Sequence, residues 1–218
     1  MKGLLIKDLK LLMGQKQFFV TVCGLGFLFT FVNGDATFAI PYVAMMLCMF
    51  SVGTISYDEY DNGGAYLFSL PITRKVYVAE KYVYGFGLCL VSIMVSAVFA
   101  AIVMIARDSW MGNGEFVSVL VVSLVLSAVV LDAMIPAQLK FGAEKSRVAL
   151  MGFVLAIYII GYFGYRLLES MGIDLEMVLA AFSGMTLAVV IAVLCGIAVV
   201  SSMISYLISL RIMEKKEY

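Results

Sequence analysis

The chain has 218 residues, 63% of them hydrophobic and 14% charged, with 15 basic side chains, 15 acidic ones and no histidine. A mean hydropathy of +1.05 leaves too little polar surface for a soluble domain of this length, so residues 1–218 are read as a single membrane domain. Without histidine there is no usual proton shuttle, metal ligand or triad base, and without a G-x-x-x-x-G-K-[ST] loop there is no standard nucleotide cradle; no catalytic residue and no metal site are expected.

Residues 1–16 precede the first long apolar run and have their own pattern. On a helical wheel Leu5, Ile6, Leu9, Leu12 and Met13 share one side while Lys7, Asp8 and Lys10 share the other, the pattern of an amphipathic helix lying in the membrane interface. Leu4 and Leu11 interrupt the polar side and point to contact with protein. No small-x-small cleavage pattern follows Val32, which argues against a cleaved signal peptide.

Six apolar runs follow, at 17–32, 37–56, 82–106, 116–139, 148–167 and 177–210. A bilayer core needs roughly 20 apolar residues per helix, and a helix satisfies its backbone polar groups within one segment. The expected fold is therefore an all-α integral membrane protein with six transmembrane helices. The last run is too long for one crossing, so its end from about Ser201 is expected to bend or project into the cytosol. Lysines and arginines collect before the first run and after the second, fourth and sixth; only Arg107 and Arg166 stand at the opposite ends. Basic short loops stay inside, which places both termini and the loops 57–81 and 140–147 in the cytosol. Because the charges sort by side, the zero net charge does not point to a partner, and nothing suggests nucleic acid.

The loop 57–81 is the most informative segment. Glu59, Tyr66, Phe68 and Leu70 precede Pro71, which must interrupt a helix; Thr73 is a good N-cap for a helix restarting at Arg74. A short helix, a kink and a restart at the membrane surface would offer apolar side chains to a cytosolic partner, or pack onto the bundle itself. Ahead of 140–147, Pro136 is expected to end or kink the preceding helix, and in the loop Phe141, beside Gly142 and among Glu144, Lys145 and Arg147, suggests a tight turn with one aromatic knob.

Within the spans, Cys23, Cys48, Cys89 and Cys195 have no zinc-like spacing and read as small packing residues. Gly24, Gly26, Gly85 and Gly87 read as close helix contacts. Two ladders of small residues at four-residue spacing, Ser92, Ser96 and Ala100, then Ala180, Gly184, Ala188, Ala192 and Gly196, mark faces for helix packing. Asp132 is the one acid deep in a span, and a structural pairing with Lys140 or Gln138 is favoured over a role in transport. Phe27, Met45, Met46 and Met49 are candidates for an apolar substrate path, although ordinary lipid-facing and core roles are the favoured account of them.

Taken in order, the opening Leu5-Ile6-Lys7-Asp8-Leu9, the loop from Asp58-Glu59 through Gly63 to Ser69-Leu70-Pro71-Ile72-Thr73-Arg74 and Lys81, the turn Lys140-Phe141-Gly142-Ala143-Glu144-Lys145-Ser146-Arg147 and the final Lys215-Lys216-Glu217-Tyr218 resemble the membrane subunits of ATP-binding-cassette exporters. The similarity is to small six-helix permeases, such as those that export phenol-soluble modulins and their relatives among bacteriocin-immunity exporters. The resemblance implies an elbow helix at 1–16 and a coupling helix between the second and third spans that docks on a separate ATPase. It also implies two ATPase copies carrying ATP and Mg, no cofactor in this chain, a second copy of the permease or a paralogue, and a bacterial plasma membrane. With so little buried charge, cargo is expected to be an amphipathic peptide or lipid-like compound. A non-energised scaffold or immunity protein and an ion-coupled secondary transporter remain the alternatives.

Overall fold

The computed structural model describes residues 1–33, 37–60, 63–170 and 186–216. Its elements are all helices: α1 (Lys2–Gly14), α2 (Lys16–Asn33), α3 (Ala39–Glu59), α4 (Gly63–Ser69), α5 (Arg74–Ala106), α6 (Asn113–Ser170) and α7 (Leu187–Lys215). Among the described residues, α3, α5, Asn113–Gly142 of α6 and Ala188–Lys215 of α7 are each long and apolar enough to cross a bilayer. α1 and α2 meet at a bend of 69°, and the count rises to five only if the pair is one span. The run at 148–167 is helical too, in the second half of α6, where several side chains fall outside the described set. The structure therefore supports four or five spans where the sequence suggested six.

α3 is the central post, packed against α2, α5 and α6, while α6 also holds α7. The shared core is built from Ile40, Ala44, Cys48, Ile55, Val78, Cys89, Leu131, Ile135 and Leu139, all essentially buried. Close approach is achieved where one glycine of each expected pair meets a neighbour. A Cβ on Gly85 would come within 3.0 Å of Ser51 and 3.3 Å of Leu131, and one on Gly26 would collide with Val43; Gly24 and Gly87 face open space. The ladder Ser92, Ser96 and Ala100 is buried along α5.

α6 breaks at Gly142 and not at Pro136, which lies inside the helix. A proline six residues earlier removes one backbone donor, but the helix continues past it, with Ile135, Gln138 and Leu139 packed into the core. Gly142 has φ 75° and ψ −178°, a conformation open almost only to glycine. Gly142→Ala is expected to destabilise the bundle by about 1–3 kcal/mol; a thermal unfolding midpoint equal to the wild type would remove this role for the glycine. α7 runs unbroken through Ser201 to Lys215, so of the bend or projection expected at its end, the bend is absent. Ser205 and Ser209 are buried against Tyr82, at 2.5 and 2.9 Å, so this end of the helix packs as part of the bundle and has no reason to bend.

Candidate coupling surface and the ion cluster beneath it

The termini, α4 and the Gly142 break all lie at one end of the bundle, the lysine-rich end. α1 meets it differently from the helical wheel. Leu4 and Asp8, one turn apart, are the two buried residues of α1. Ile6, Leu9 and Met13 face outward at 47–66% exposure, while Leu5 and Leu12 are half-buried. The apolar side thus faces away from the bundle, as an interfacial helix requires, but the opposite side is anchored by a carboxylate rather than solvated.

Asp8 is anchored by Lys81, in the second turn of α5. The Lys81 Nζ lies 2.6 Å from Asp8 Oδ2, 2.8 Å from Asp58 Oδ2 and 3.0 Å from the Thr54 hydroxyl. Thr54 donates to Asp8 Oδ2 at 3.0 Å, Tyr77 donates to Asp58 Oδ2 at 3.1 Å, and Lys7 closes the cluster on Asp58. Tyr84 adds a donation to the Asp8 backbone oxygen at 3.3 Å. Glu80 is fully buried beside them with its carboxylate 3.8 Å from Lys81. Three helices are joined by this cluster: α1, the end of α3 and the start of α5. Among the described residues no group of three or more potential ligands is placed to hold a metal ion; the lysines provide the positive charge.

A second set of bonds fastens the same end from the other side. Lys216 Nζ contacts Glu59 Oε1 at 2.5 Å and donates to the Leu139 oxygen at 2.9 Å. Arg74 donates to the Glu214 oxygen at 2.6 Å. The end of α7 therefore clamps the end of α3, the last turn before the α6 break and the first turn of α5. Gln138 joins α6 to α3 by donating to Ser56 at 2.6 Å.

Between these fastenings sits α4. Thr73 caps α5 as its sequence suggests, accepting from the Val76 amide at 3.3 Å, and the chain turns through Pro71 between the two helices. Tyr66 is 72% exposed and Leu70 41%, whereas Phe68 turns inward and packs edge-on against Tyr77 with ring centroids 5.6 Å apart. Phe141, 46% exposed, stands beside the Gly142 break with Lys140 over its ring. Of the residues proposed for coupling, Tyr66, Leu70, Pro71 and Phe141 are each exposed. Glu59, Phe68, Thr73 and Arg74 are used within the fold, and the side chains of Glu144 and Arg147 lie outside the described residues. Sequence reasoning gave Asp8 to a wet face and Lys81 to a count of loop charges; the only hint of their pairing was the presence of three acids, Asp8, Asp58 and Glu80, among lysines that topology alone would leave unopposed.

Other expected sites are dispersed. Phe27 stacks on Phe31 at the outer surface, Met45 is 37% exposed, Met46 packs with Val22 and Val43, and Met49 is half-buried; the fold does not gather them along one path. Ala188 and Gly196 face outward, with nothing within 4 Å of a Cβ on Gly196, and Gly184 lies outside the described residues. Asp132 pairs with neither Lys140 nor Gln138. Ser201 and Ser202 donate to its Oδ2 at 2.7 and 2.9 Å, because α7 and not the next loop packs across this turn of α6.

A long-helix membrane bundle with a bent α1–α2 pair and a short helix presented at one end is the frame; the family model for ABC-2 family transporter proteins matches residues 3–214. This chain belongs to the ABC-2 transporter family. Its membership makes it the membrane component of an ABC transporter, a multi-pass permease whose partner is an ABC ATPase subunit. Neither the curated proteins nor the solved structures contain a significant match to it.

Proposed function

We propose that this ABC-2 permease exports amphipathic cargo, driven by two copies of a separate ATPase that bind ATP and Mg and dock on α4 and the Phe141 turn. In this reading the lysine-rich end is cytosolic and the membrane is the bacterial plasma membrane. The observation that carries it is the pairing of an exposed apolar surface, Tyr66, Leu70 and Phe141, with a buried ionic cluster directly behind it. An exposed aromatic side chain on a short helix suits an interface anchor, and that helix packs through Phe68 on Tyr77, a member of the cluster that joins α1, α3 and α5. Motion imposed on α4 would therefore reach α1, α3 and α5 together. The outward ladder of Ala188 and Gly196 on α7 supports a second permease copy, the same chain or a paralogue, at that face. Scarce charge along the spans and extensive outward apolar surface support peptide-like or lipid-like amphiphiles, of the kind that the resemblance to modulin and bacteriocin-immunity exporters implies.

The test is reconstitution with the ATPase in proteoliposomes. Hydrolysis is expected to rise several-fold with membrane-active amphipathic peptides and to be flat with sugars and metal ions. Stimulation by a hydrophilic solute, with no response across a panel of such peptides, would overturn the cargo reading.

A further inference from the structure

We propose that the crevice between α5, α6 and α7 binds a cationic amphiphile, with Asp132 recognising its protonated amine or guanidinium and the apolar walls accepting its body. The proposal rests on the amphipathic-cargo reading above and assigns the charge of the cargo's head.

The crevice has a volume of about 570 Å³, within the range of ligand pockets. Its walls are graded along the bundle. α5 starts and α7 ends at the lysine-rich end, so Tyr82, Ser202 and Tyr206 lie nearer that end and Leu90, Leu124 and Cys195 lie deeper. An amphiphile of the inner leaflet has the same polarity, with its head at the surface and its tail toward the midplane.

Asp132 is 8% exposed and stands just behind the wall, one helical turn beyond the wall residue Ala128 on α6 towards the polar end and bonded to the wall residue Ser202. Wall residue Ser202 and its neighbour Ser201 occupy Oδ2, but Oδ1 has no hydrogen-bond partner. Among the described residues no lysine or arginine forms an ion pair with it. An ionisable group at this depth costs at least about 2.5 kcal/mol and is normally paired or faces a hydrated cavity. A ligand that brings a cation to the Ser202 end of the crevice would supply the pairing that the fold lacks. Among the described residues no basic side chain lines the crevice, so a phospholipid would bring a phosphate with no counter-charge from them. A free amine or guanidinium on an apolar body fits both ends.

The experiment uses the full-length permease in nanodiscs of zwitterionic lipid, with dodecylammonium and dodecanol competing against a fluorescent alkyl probe. The wild type is expected to bind the ammonium about tenfold or more tightly than the alcohol, the least that pairing a buried carboxylate should give. Asp132→Asn keeps acceptors for both serines and should bring the two probes within about twofold of each other. Ala198→Phe, which narrows the crevice, should weaken both. Equal binding of the two probes by the wild type needs no variant to interpret and overturns the proposal, as does a preference that survives Asp132→Asn or a site that selects phospholipid over dodecylammonium. If the ammonium preference holds while ATP hydrolysis ignores amphipathic peptides, the site stands and the export reading falls.

Discussion

Lys81→Met should cost the permease about 3–5 kcal/mol of stability, the loss typical when one partner of a buried ion pair is removed and the other charges remain. Lys81 is 1% exposed and lies within 2.8 Å of two carboxylates, Asp8 and Asp58, with Glu80 at 3.8 Å. Methionine fills similar space but leaves three acids facing Lys7 alone. α1 should detach first, because Asp8 is its one buried polar anchor and Leu4 its one buried apolar residue. Lys10→Ala, on an exposed position of the same helix, should stay within about 0.5 kcal/mol of the wild type. A triple variant, Lys81→Met with Asp8→Asn and Asp58→Asn, should recover much of the loss, since two of the three acids left unpaired lose their charge with the lysine. Unfolding of the detergent-solubilised permease, followed by thermal midpoint and by protease access to residues 1–16, measures all three. A Lys81→Met protein as stable as Lys10→Ala would mean that the cluster is incidental to the fold.

What the sequence made legible follows from what each signal measures. Apolar run length locates helices because the bilayer imposes it, and the bounds of α2 and α3 fall within a few residues of those runs. Thr73 and Pro71 act through neighbours in sequence, so their roles in ending α4 and starting α5 could be read directly. Asp8 could not. A helical wheel assigns polarity to water by default, and only the arrival of Lys81, 73 positions later, makes the polar side the buried one. Asp132 was misassigned for the same reason, since nearness in sequence suggested Lys140 while α7 supplies Ser201 and Ser202 from 69 and 70 positions away. The tight turn expected beside Phe141 is where α6 breaks, at Gly142, while Pro136, expected to end or kink the preceding helix, lies inside it with packed neighbours on both sides.

The fastenings at the lysine-rich end explain how a helix of seven residues, Gly63–Ser69, can keep a fixed position. Too short to be stable alone, it is held by Phe68 on Tyr77 and by α3 and α5 on either side, both pinned by Lys81 and by the end of α7. A rigid mount loses less side-chain freedom on docking, and preorganisation of this kind turns a small contact into a useful one.

Tyr66→Ala should therefore uncouple the transporter without unfolding it. Tyr66 is 72% exposed, so its removal should change stability by no more than about 0.5 kcal/mol; a buried aromatic anchor at an interface is worth about 2 kcal/mol or more, roughly a thirtyfold loss in ATPase affinity. Phe68→Ala is the informative contrast. Its ring already packs against Tyr77 within the permease, so this variant should lower the unfolding midpoint and weaken coupling only as a consequence. Copurification with the ATPase, permease-stimulated hydrolysis and thermal unfolding, measured side by side, separate the two. Normal copurification and stimulation in Tyr66→Ala, together with a stable Phe68→Ala that fails to bind, would show that α4 turns its inner face to the ATPase and that the exposed surface on Tyr66 has another use.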